Sequence, residues 1–222
     1  MLRIPVRPHG LLVSVAVGCA LLGARVPQAS TITQLDLAFT ARKAGLIFAG
    51  TVDTVMYRMD PAGQTVLSLV SFKDVTYAKG DRRSGRVSLT LRGGRTDKDE
   101  SRVIDQPEFE ISKRYIVMTH ADLGSEQNLY LPIIGLNAGF FPVLIDSTAK
   151  TTHVCDWEYR PIARIQGHHL VVVAVRAIGD RPAPPQRGTK REPPIEVLDP
   201  GKDPGTRVTE TEFLRTVRTL GE

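Results

Sequence analysis

Apolar and polar residues alternate along much of the chain from Leu46 onward, with the two-residue period that is typical of β-strands. The first such stretch is Leu46–Met59, and Thr65–Tyr77 alternates again after the turn sequence at Asp60–Gly63. Because a strong turn signal separates two alternating runs, these segments predict a long antiparallel hairpin.

The same period predicts further strands between charged or glycine-rich loops. Gly93-Gly94 breaks the pattern after the third strand, and Gly135–Gly139 has the composition of a turn between two strands. The predicted strands are Val87–Arg92, Tyr115–Thr119, Leu129–Ile134, Phe140–Ile145, His153–Tyr159, Ile162–Ile165 and His169–Val175. About eight strands with no long helix among them favour a closed antiparallel barrel or a sandwich.

A short helix is predicted before the first strand, over Thr31–Lys43. Ser30 or Thr31 is the expected N-cap, and Leu35 and Phe39 lie one helical turn apart. Gly45 is the expected stop.

The last part of the chain differs in composition from the predicted β domain. Residues 179–207 are rich in proline and charge and poor in apolar residues, which predicts a linker. A capping-box pattern at Thr209–Glu212 then begins a helix with one apolar stripe, Phe213, Val217 and Leu220. A helix of about three turns is marginal alone in water, so it docks on the barrel, binds a partner or stays frayed.

The first residues have the pattern of a secretory leader. Arg3 and Arg7 precede the apolar run Leu11–Ala24, which is shorter than the roughly 20 residues of a membrane span. Cleavage is expected near Ala29 or Ser30, with an uncleaved N-terminal anchor as one alternative and lipidation of Cys19 as another. The predicted organisation is a signal peptide (1–29), a β-barrel domain (30–178), the linker (179–207) and the C-terminal helix (208–222).

Loss of the leader changes both the charge and the cysteine content. It removes three arginines and no acid, so the formal net charge falls from +5 to +2. Composition therefore gives no case for a nucleic-acid partner. Cys155 becomes the only cysteine, and an exported domain without an intramolecular disulfide depends on an ordinary hydrophobic core.

The order of elements resembles a known architecture. The sequences at Leu46–Val52 (LIFAGTV), Asp74–Gly80 (DVTYAKG), Val87–Gly94 (VSLTLRGG) and Phe109–Met118 (FEISKRYIVM) look like exported bacterial proteins with the OB-type barrel of the netrin module and the tissue inhibitors of metalloproteinases. The resemblance covers residues 31–145, and it implies an OB-like barrel. Its G-x-x-Y/F element is altered here to Ser112–Tyr115.

This chain departs from those inhibitors in its cysteines. They use an N-terminal cysteine to chelate the zinc of the protease, whereas the expected mature chain begins near Ser30 or Thr31 and retains only Cys155. Inhibition by that route is not supported, and protease inhibition stays only as an alternative function.

Motifs of common enzyme classes are missing from the sequence, including H-E-x-x-H, G-x-S-x-G and G-x-G-x-x-G. The nearest approach to metal or thiol chemistry is His153, Cys155 and His169, with His168 as a possible fourth ligand. Alternate positions of one strand share a face, so His153 and Cys155 could meet His169 from a neighbouring strand. The alternatives are a metal site, a nucleophilic Cys155 with a histidine base, or an inert buried cysteine.

A second candidate surface is the basic loop that contains Arg82, Arg83 and Arg86. An anionic glycan or lipid headgroup is its expected weak contact, since export and the lack of nearby exposed aromatics argue against nucleic acid. The function predicted from the sequence is a non-catalytic exported module without a cofactor. It would bind another envelope or secreted protein through these barrel loops or through the C-terminal helix.

Overall fold

A computed structural model describes residues 36–80, 85–146, 151–173, 195–198 and 207–222. The predicted leader, Cys19, the proposed cap residues Ser30 and Thr31, and Arg82 and Arg83 lie outside the described residues. The described part is mainly β with two helices, as the sequence predicts. Neither helix is long and apolar enough to cross a membrane.

The elements follow one another in an order close to the predicted one. They are α1 (Leu37–Lys43), β1 (Leu46–Met59), β2 (Val66–Lys79), β3 (Val87–Arg92), β4 (Gly94–Arg95), β5 (Glu100–Ser101), β6 (Arg114–Thr119), β7 (Phe140–Asp146), β8 (Thr151–Val154), β9 (Ile162–Gln166), β10 (His169–Val173), β11 (Ile195–Leu198) and α2 (Glu210–Gly221). Two 3-10 helices, Glu126–Asn128 and Leu136–Gly139, lie between β6 and β7.

Six of the strands form one antiparallel sheet in the order β3-β2-β1-β6-β7-β8. The predicted hairpin is confirmed as β1 and β2, two strands of 14 residues each. β9, β10 and β11 form a second sheet, in which β10 and β11 run parallel. β4 and β5 form a short ribbon beside the hairpin.

Both faces of the large sheet are buried, which explains the continuous apolar run at the start of β1. Leu46 and Phe48 point into one cluster, and Ile47 and Ala49 point into the other. The first, which we call the inner cluster, joins side chains from five strands, β3, β2, β1, β6 and β7. The outer cluster lies against the helices and the second sheet.

The strands do not form a closed ring within the described residues. At the free edge of β3, Thr90 N–H donates to the Leu123 carbonyl (3.0 Å) and Arg92 N–H to the Tyr130 carbonyl (2.8 Å), so a loop covers this edge. The described sheet is therefore large and antiparallel.

The N-terminal helix begins later than predicted. Asp36 is its N-cap, because its backbone is extended and its side chain accepts the Phe39 N–H at 2.5 Å. A cap at Ser30 or Thr31 is therefore wrong. At the other end, Lys79 Nζ donates to the carbonyls of Ala41 and Arg42, both at 3.0 Å, and so satisfies the end of the helix.

The predicted strand Leu129–Ile134 is also wrong. The Asp122 carboxylate accepts hydrogen bonds from Ser125 Oγ (2.7 Å) and Asn128 Nδ2 (2.8 Å), and these local bonds stabilise a 3-10 turn. Leu129 and Tyr130 then have φ values of 54° and 56°, which no β-strand accommodates. Only Ile133 of the predicted strand makes a β-bridge, to Thr119.

The C-terminal helix docks on the core, which settles the alternatives left open by its sequence. Phe213 and Val217 are fully buried in the outer cluster, and Leu220 packs against it. The Phe213 ring lies 4.8 Å from that of Phe141. Because Phe213 and Val217 have no exposed surface, they are not available to a partner.

Polar contacts fix the same helix at both ends. Arg114 on β6 makes two 2.7 Å hydrogen bonds with the Glu210 carboxylate, and both side chains are largely buried. Arg218 donates to the carbonyls of Tyr77 (3.0 Å) and Ala78 (3.1 Å) at the end of β2.

The segment predicted as a linker contains one strand, and a bridging residue, Val208, directly follows it. Ile195–Leu198 is its apolar stretch, and it pairs with β10 from Leu170 to Val173. The average composition of the segment concealed this strand. Val208 is buried and joins the two sheets, since its carbonyl accepts the Val154 N–H (3.0 Å) and its N–H donates to the Ile162 carbonyl (2.9 Å).

Candidate functional site

The residues predicted as a metal or thiol site do not assemble. β8 ends at Val154, and Cys155 beyond it is buried, whereas His168 and His169 are exposed in and beside β10. Among the described residues, no three His, Cys, Asp or Glu side chains come together in a way that could hold a metal ion. The predicted ligand set of His153, Cys155 and His169 is therefore wrong.

Cys155 has the properties of an inert thiol. Burial is the main cause that raises its pKa to about 12, and the charge of Asp156 acts in the same direction. The thiol is therefore neutral at neutral pH and packs as a small apolar side chain. His153 hydrogen bonds through Nε2 with Thr151 Oγ1 (3.3 Å), and its Nδ1 is buried with no hydrogen-bond partner in the described structure.

A turn centred on Asp156 ends the strand that was predicted to reach Tyr159. The buried carboxylate accepts the N–H groups of Glu158 (3.1 Å) and Arg160 (2.9 Å), and also Arg160 Nε (2.7 Å). Tyr159 adopts a positive φ of 62° in this turn. Trp157, within the predicted strand, is 39% exposed.

The described part of the predicted basic loop is engaged with an acid. Arg86 Nη1 lies 3.2 Å from Asp53 Oδ2, and Lys73 Nζ lies 3.1 Å from Asp53 Oδ1. The hydrogen bond from Lys73 is the main cause that lowers the pKa of Asp53. Arg86 is therefore a partner of Asp53 at the surface of the hairpin.

A groove lies beside the outer half of the hairpin. β6 pairs with β1 only from Leu46 to Thr51, so the outer half of β1 extends beyond β6, while β3 still pairs with β2 there, from Leu67 to Phe72. Val103 and residues 106–110 line the groove together with the hairpin. The space left between them is about 280 Å³ and has an apolar floor of Val55, Val70 and Leu91.

Phe109 fixes one wall of the groove. Its ring makes edge-to-face contacts with Phe72 (5.4 Å), Tyr115 (5.2 Å) and Phe140 (5.3 Å), so it is anchored in the inner cluster. Burial raises the pKa of Tyr115, and its hydroxyl accepts the Glu110 N–H at 3.2 Å. These contacts hold residues 109 and 110 at a fixed distance from the hairpin.

Tyr57 and the two glycines form the opposite wall. Gly93 and Gly94 have φ values of 102° and 134°, and a Cβ at Gly94 would overlap the Tyr57 ring. Ser68 Oγ donates to the Gly93 carbonyl at 2.5 Å and holds the glycine pair against the hairpin. Glycine is required at Gly94 both for its backbone conformation and for this close approach.

The rim of the groove carries charges of both signs. Arg102 and Glu108 form an exposed pair at 3.7 Å, a separation and exposure at which ion pairs contribute little. Gln106 Nε2 donates to the Arg92 carbonyl at 2.6 Å, while its Oε1 is buried and has no hydrogen-bond partner in the described structure. The groove therefore combines an apolar floor with a rim of mixed charge.

Exposed side chains continue the surface at the mouth of the groove. Tyr57 is 49% exposed on the groove face of β1, and Met56 is 56% exposed on the opposite face. No family model, curated protein or solved structure matches this chain. The groove must therefore be interpreted from its own geometry.

Sequence reasoning missed this groove, although two of its signals were visible. The strands of the predicted hairpin are longer than those that follow, and Gly93-Gly94 was interpreted only as a break. The position of Phe109 depends on contacts with residues 37 positions earlier and 31 later in the sequence, at Phe72 and Phe140.

Proposed function

We propose that this protein is an exported, non-catalytic module that binds another envelope or secreted protein through the groove beside the β1–β2 hairpin. The observation that carries the proposal is the apolar groove between Phe109 and Tyr57, with a half-exposed aromatic ring at its mouth. Exposed tyrosines beside preformed apolar pockets are typical anchor points of protein interfaces.

Export is the part of the proposal that rests on the sequence. Arg3 and Arg7 before the apolar run Leu11–Ala24 support a secretory leader. The partner would then be a protein of the envelope or the external medium.

We propose an OB-like barrel as the architecture behind this function. The large antiparallel sheet and the loop that covers the edge of β3 support it. In such barrels, ligands bind on the face and loops at one side of the strands, and the groove lies on the face of the hairpin that carries the inner cluster.

Site-specific photocrosslinking tests where the partner binds. A photoreactive residue is placed at Tyr57, or at exposed Leu144 on β7 as a control, and the full-length protein is irradiated in the native envelope fraction. We expect a discrete adduct from position 57 that position 144 does not give. Equal labelling from both positions, or no adduct from position 57, would contradict the proposal.

Two substitutions then measure the contribution of the groove to affinity. Tyr57→Ala and Leu144→Ala both truncate exposed side chains of the large sheet, but only Tyr57 lines the groove. With the crosslinked partner purified, we expect Tyr57→Ala to weaken binding roughly tenfold or more, and Leu144→Ala to change it less than twofold. Unchanged melting curves for both variants would show that neither loss reflects unfolding.

A further inference from the structure

The outer half of β1 has one edge without a neighbouring strand. β2 pairs with it through to Met59 on one side. On the other side, β6 reaches only Thr51, and Val52 exchanges backbone hydrogen bonds with Ser112 and Lys113, both at 2.9 Å. Ser112 has a φ of 67°, and the chain turns away at this point.

Three hydrogen bonds establish which backbone groups of β1 point away from β2. Val52 bonds outward to Ser112 and Lys113, and one extra residue follows in the bulge before Thr54. Asp60 N–H donates inward to the Thr65 carbonyl (2.8 Å). The Val66 carbonyl, opposite Met59, accepts the Gly93 N–H from the side of β3 (2.7 Å).

All three observations give the same alternation. The N–H and C=O groups of Val55, Tyr57 and Met59 point outward, and those of Thr54, Met56 and Arg58 point toward β2. No described residue makes a hydrogen bond to the outward groups. The result is a ladder edge of three donors and three acceptors at the regular spacing of a β-sheet.

The side chains beside this edge define what an added strand would meet. Val55 and Tyr57 face the groove, so alternate side chains of an added strand would enter it. The intervening side chains would lie beside Met56 and Arg58 on the other face. Arg58 forms no salt bridge with any described residue, which favours an acid opposite it.

We propose, resting on the proposed function, that the partner binds as an added antiparallel strand along Val55–Met59. One of its apolar side chains occupies the groove, and an acidic side chain on its other face pairs with Arg58. The added strand lies beside β1 in line with β6, beyond Ser112. Its backbone supplies the groups that the edge lacks, as in other cases of strand addition.

Peptides with blocked backbone positions test the mode of binding. A displayed library of nine-residue peptides, with apolar residues at every second position, is selected against the purified full-length mature protein. The selected peptide is then synthesised with single N-methyl groups along its length. Methylation at the alternate positions that face β1 should weaken binding at least fivefold each, since each removes a hydrogen bond. Methylation between them should change binding less than twofold.

A charge exchange tests the proposed contact with Arg58. We expect selected peptides to contain Asp or Glu at the facing position. Arg58→Glu should weaken their binding severalfold, and replacement of the peptide acid by Lys should restore it. Protection of the Val55, Tyr57 and Met59 amides from hydrogen exchange in the complex would confirm the edge directly.

The outcomes separate the two proposals. A peptide whose binding depends on Tyr57 but not on the methylation pattern would overturn strand addition and leave the groove function in place. Failure to select any peptide would also overturn strand addition, while photocrosslinking from position 57 judges the groove independently. Self-association of the free protein in sedimentation experiments, abolished by Met56→Lys on the edge strand, would assign the edge to a second copy and overturn the proposal.

Discussion

Replacement of Phe213 by alanine measures how much the C-terminal helix contributes to the core. The Phe213 side chain is 0% exposed, and its ring lies 4.8 Å from that of Phe141. Truncation of a buried Phe to Ala commonly costs about 3–5 kcal/mol. Since domains of this kind have a total stability of about 5–15 kcal/mol, Phe213→Ala should remove a large part of it.

Urea denaturation of the full-length protein gives the required free energies. Circular dichroism and the fluorescence of the single tryptophan, Trp157, report the transition. We expect the midpoint for Phe213→Ala to fall without a change in slope. Arg215→Ala, on the exposed face of the same helix, is the matched control and should change the free energy of unfolding by less than about 0.5 kcal/mol.

Deletion of residues 180–222 extends the same test. The deletion removes Val208, the docked helix and β11, so we expect the truncated protein to lose its cooperative transition. Two results together would contradict the role of the C-terminal helix in the core. They are a loss below about 1 kcal/mol for Phe213→Ala and a cooperative melt of the truncated protein. The helix would then be a tethered element with its apolar stripe free for a partner.

Two further predictions concern buried polar groups. Glu210→Gln should lower the free energy of unfolding by about 1–3 kcal/mol. It removes one charge of a pair with Arg114 that is largely buried but retains slight solvent contact. A double-mutant cycle with Arg114→Met should show coupling between the two residues, and additive losses would contradict this prediction. Burial raises the pKa of Cys155 from 9.0 to about 12. The folded state is therefore stabilised by the neutral thiol below pH 9, and this stabilisation is lost as the pH rises through 12. The free energy of unfolding changes by up to about 1.4 kcal/mol per pH unit in this range. Cys155→Ala should remove this part of the pH dependence in urea titrations, and rapid labelling of the native thiol at pH 8 would show that it is not buried.

The alternating pattern correctly predicted the strands whose two faces lie in different environments, and also those flanked by sequences with a strong turn signal. β1, β2, β3, β6 and β7 lie within two residues of their predicted bounds at each end. The pattern failed where local side-chain hydrogen bonds determine the backbone. The Asp156 carboxylate stabilises a turn inside the predicted strand His153–Tyr159, and the Asp122 carboxylate stabilises a turn directly before the predicted strand Leu129–Ile134.

The ends of the chain show a different limit. Asp36 caps α1, although Ser30 and Thr31 were the expected N-cap residues. The burial of Leu37, Ala38 and Ala41 determines where the helix begins. The strand Ile195–Leu198 could not be inferred from a proline-rich composition, since its stability comes from β10. Tertiary contacts determine both elements.

The candidate site was the least predictable part. The sequence drew attention to residues with reactive side chains, His153, Cys155 and His169, but a metal site requires a specific meeting of strands that does not occur. The groove depends instead on apolar residues and on the unequal lengths of paired strands. Such a surface has no distinctive residue type in the sequence.

The bridging position of Val208 has a consequence for how the chain folds. It lies 54 residues after Val154 and 46 after Ile162, yet its two backbone hydrogen bonds join the strands that these residues occupy. Contacts of such high sequence separation form late because they require closure of long loops. The core is therefore complete only after Val208 and the C-terminal helix have packed against the strands.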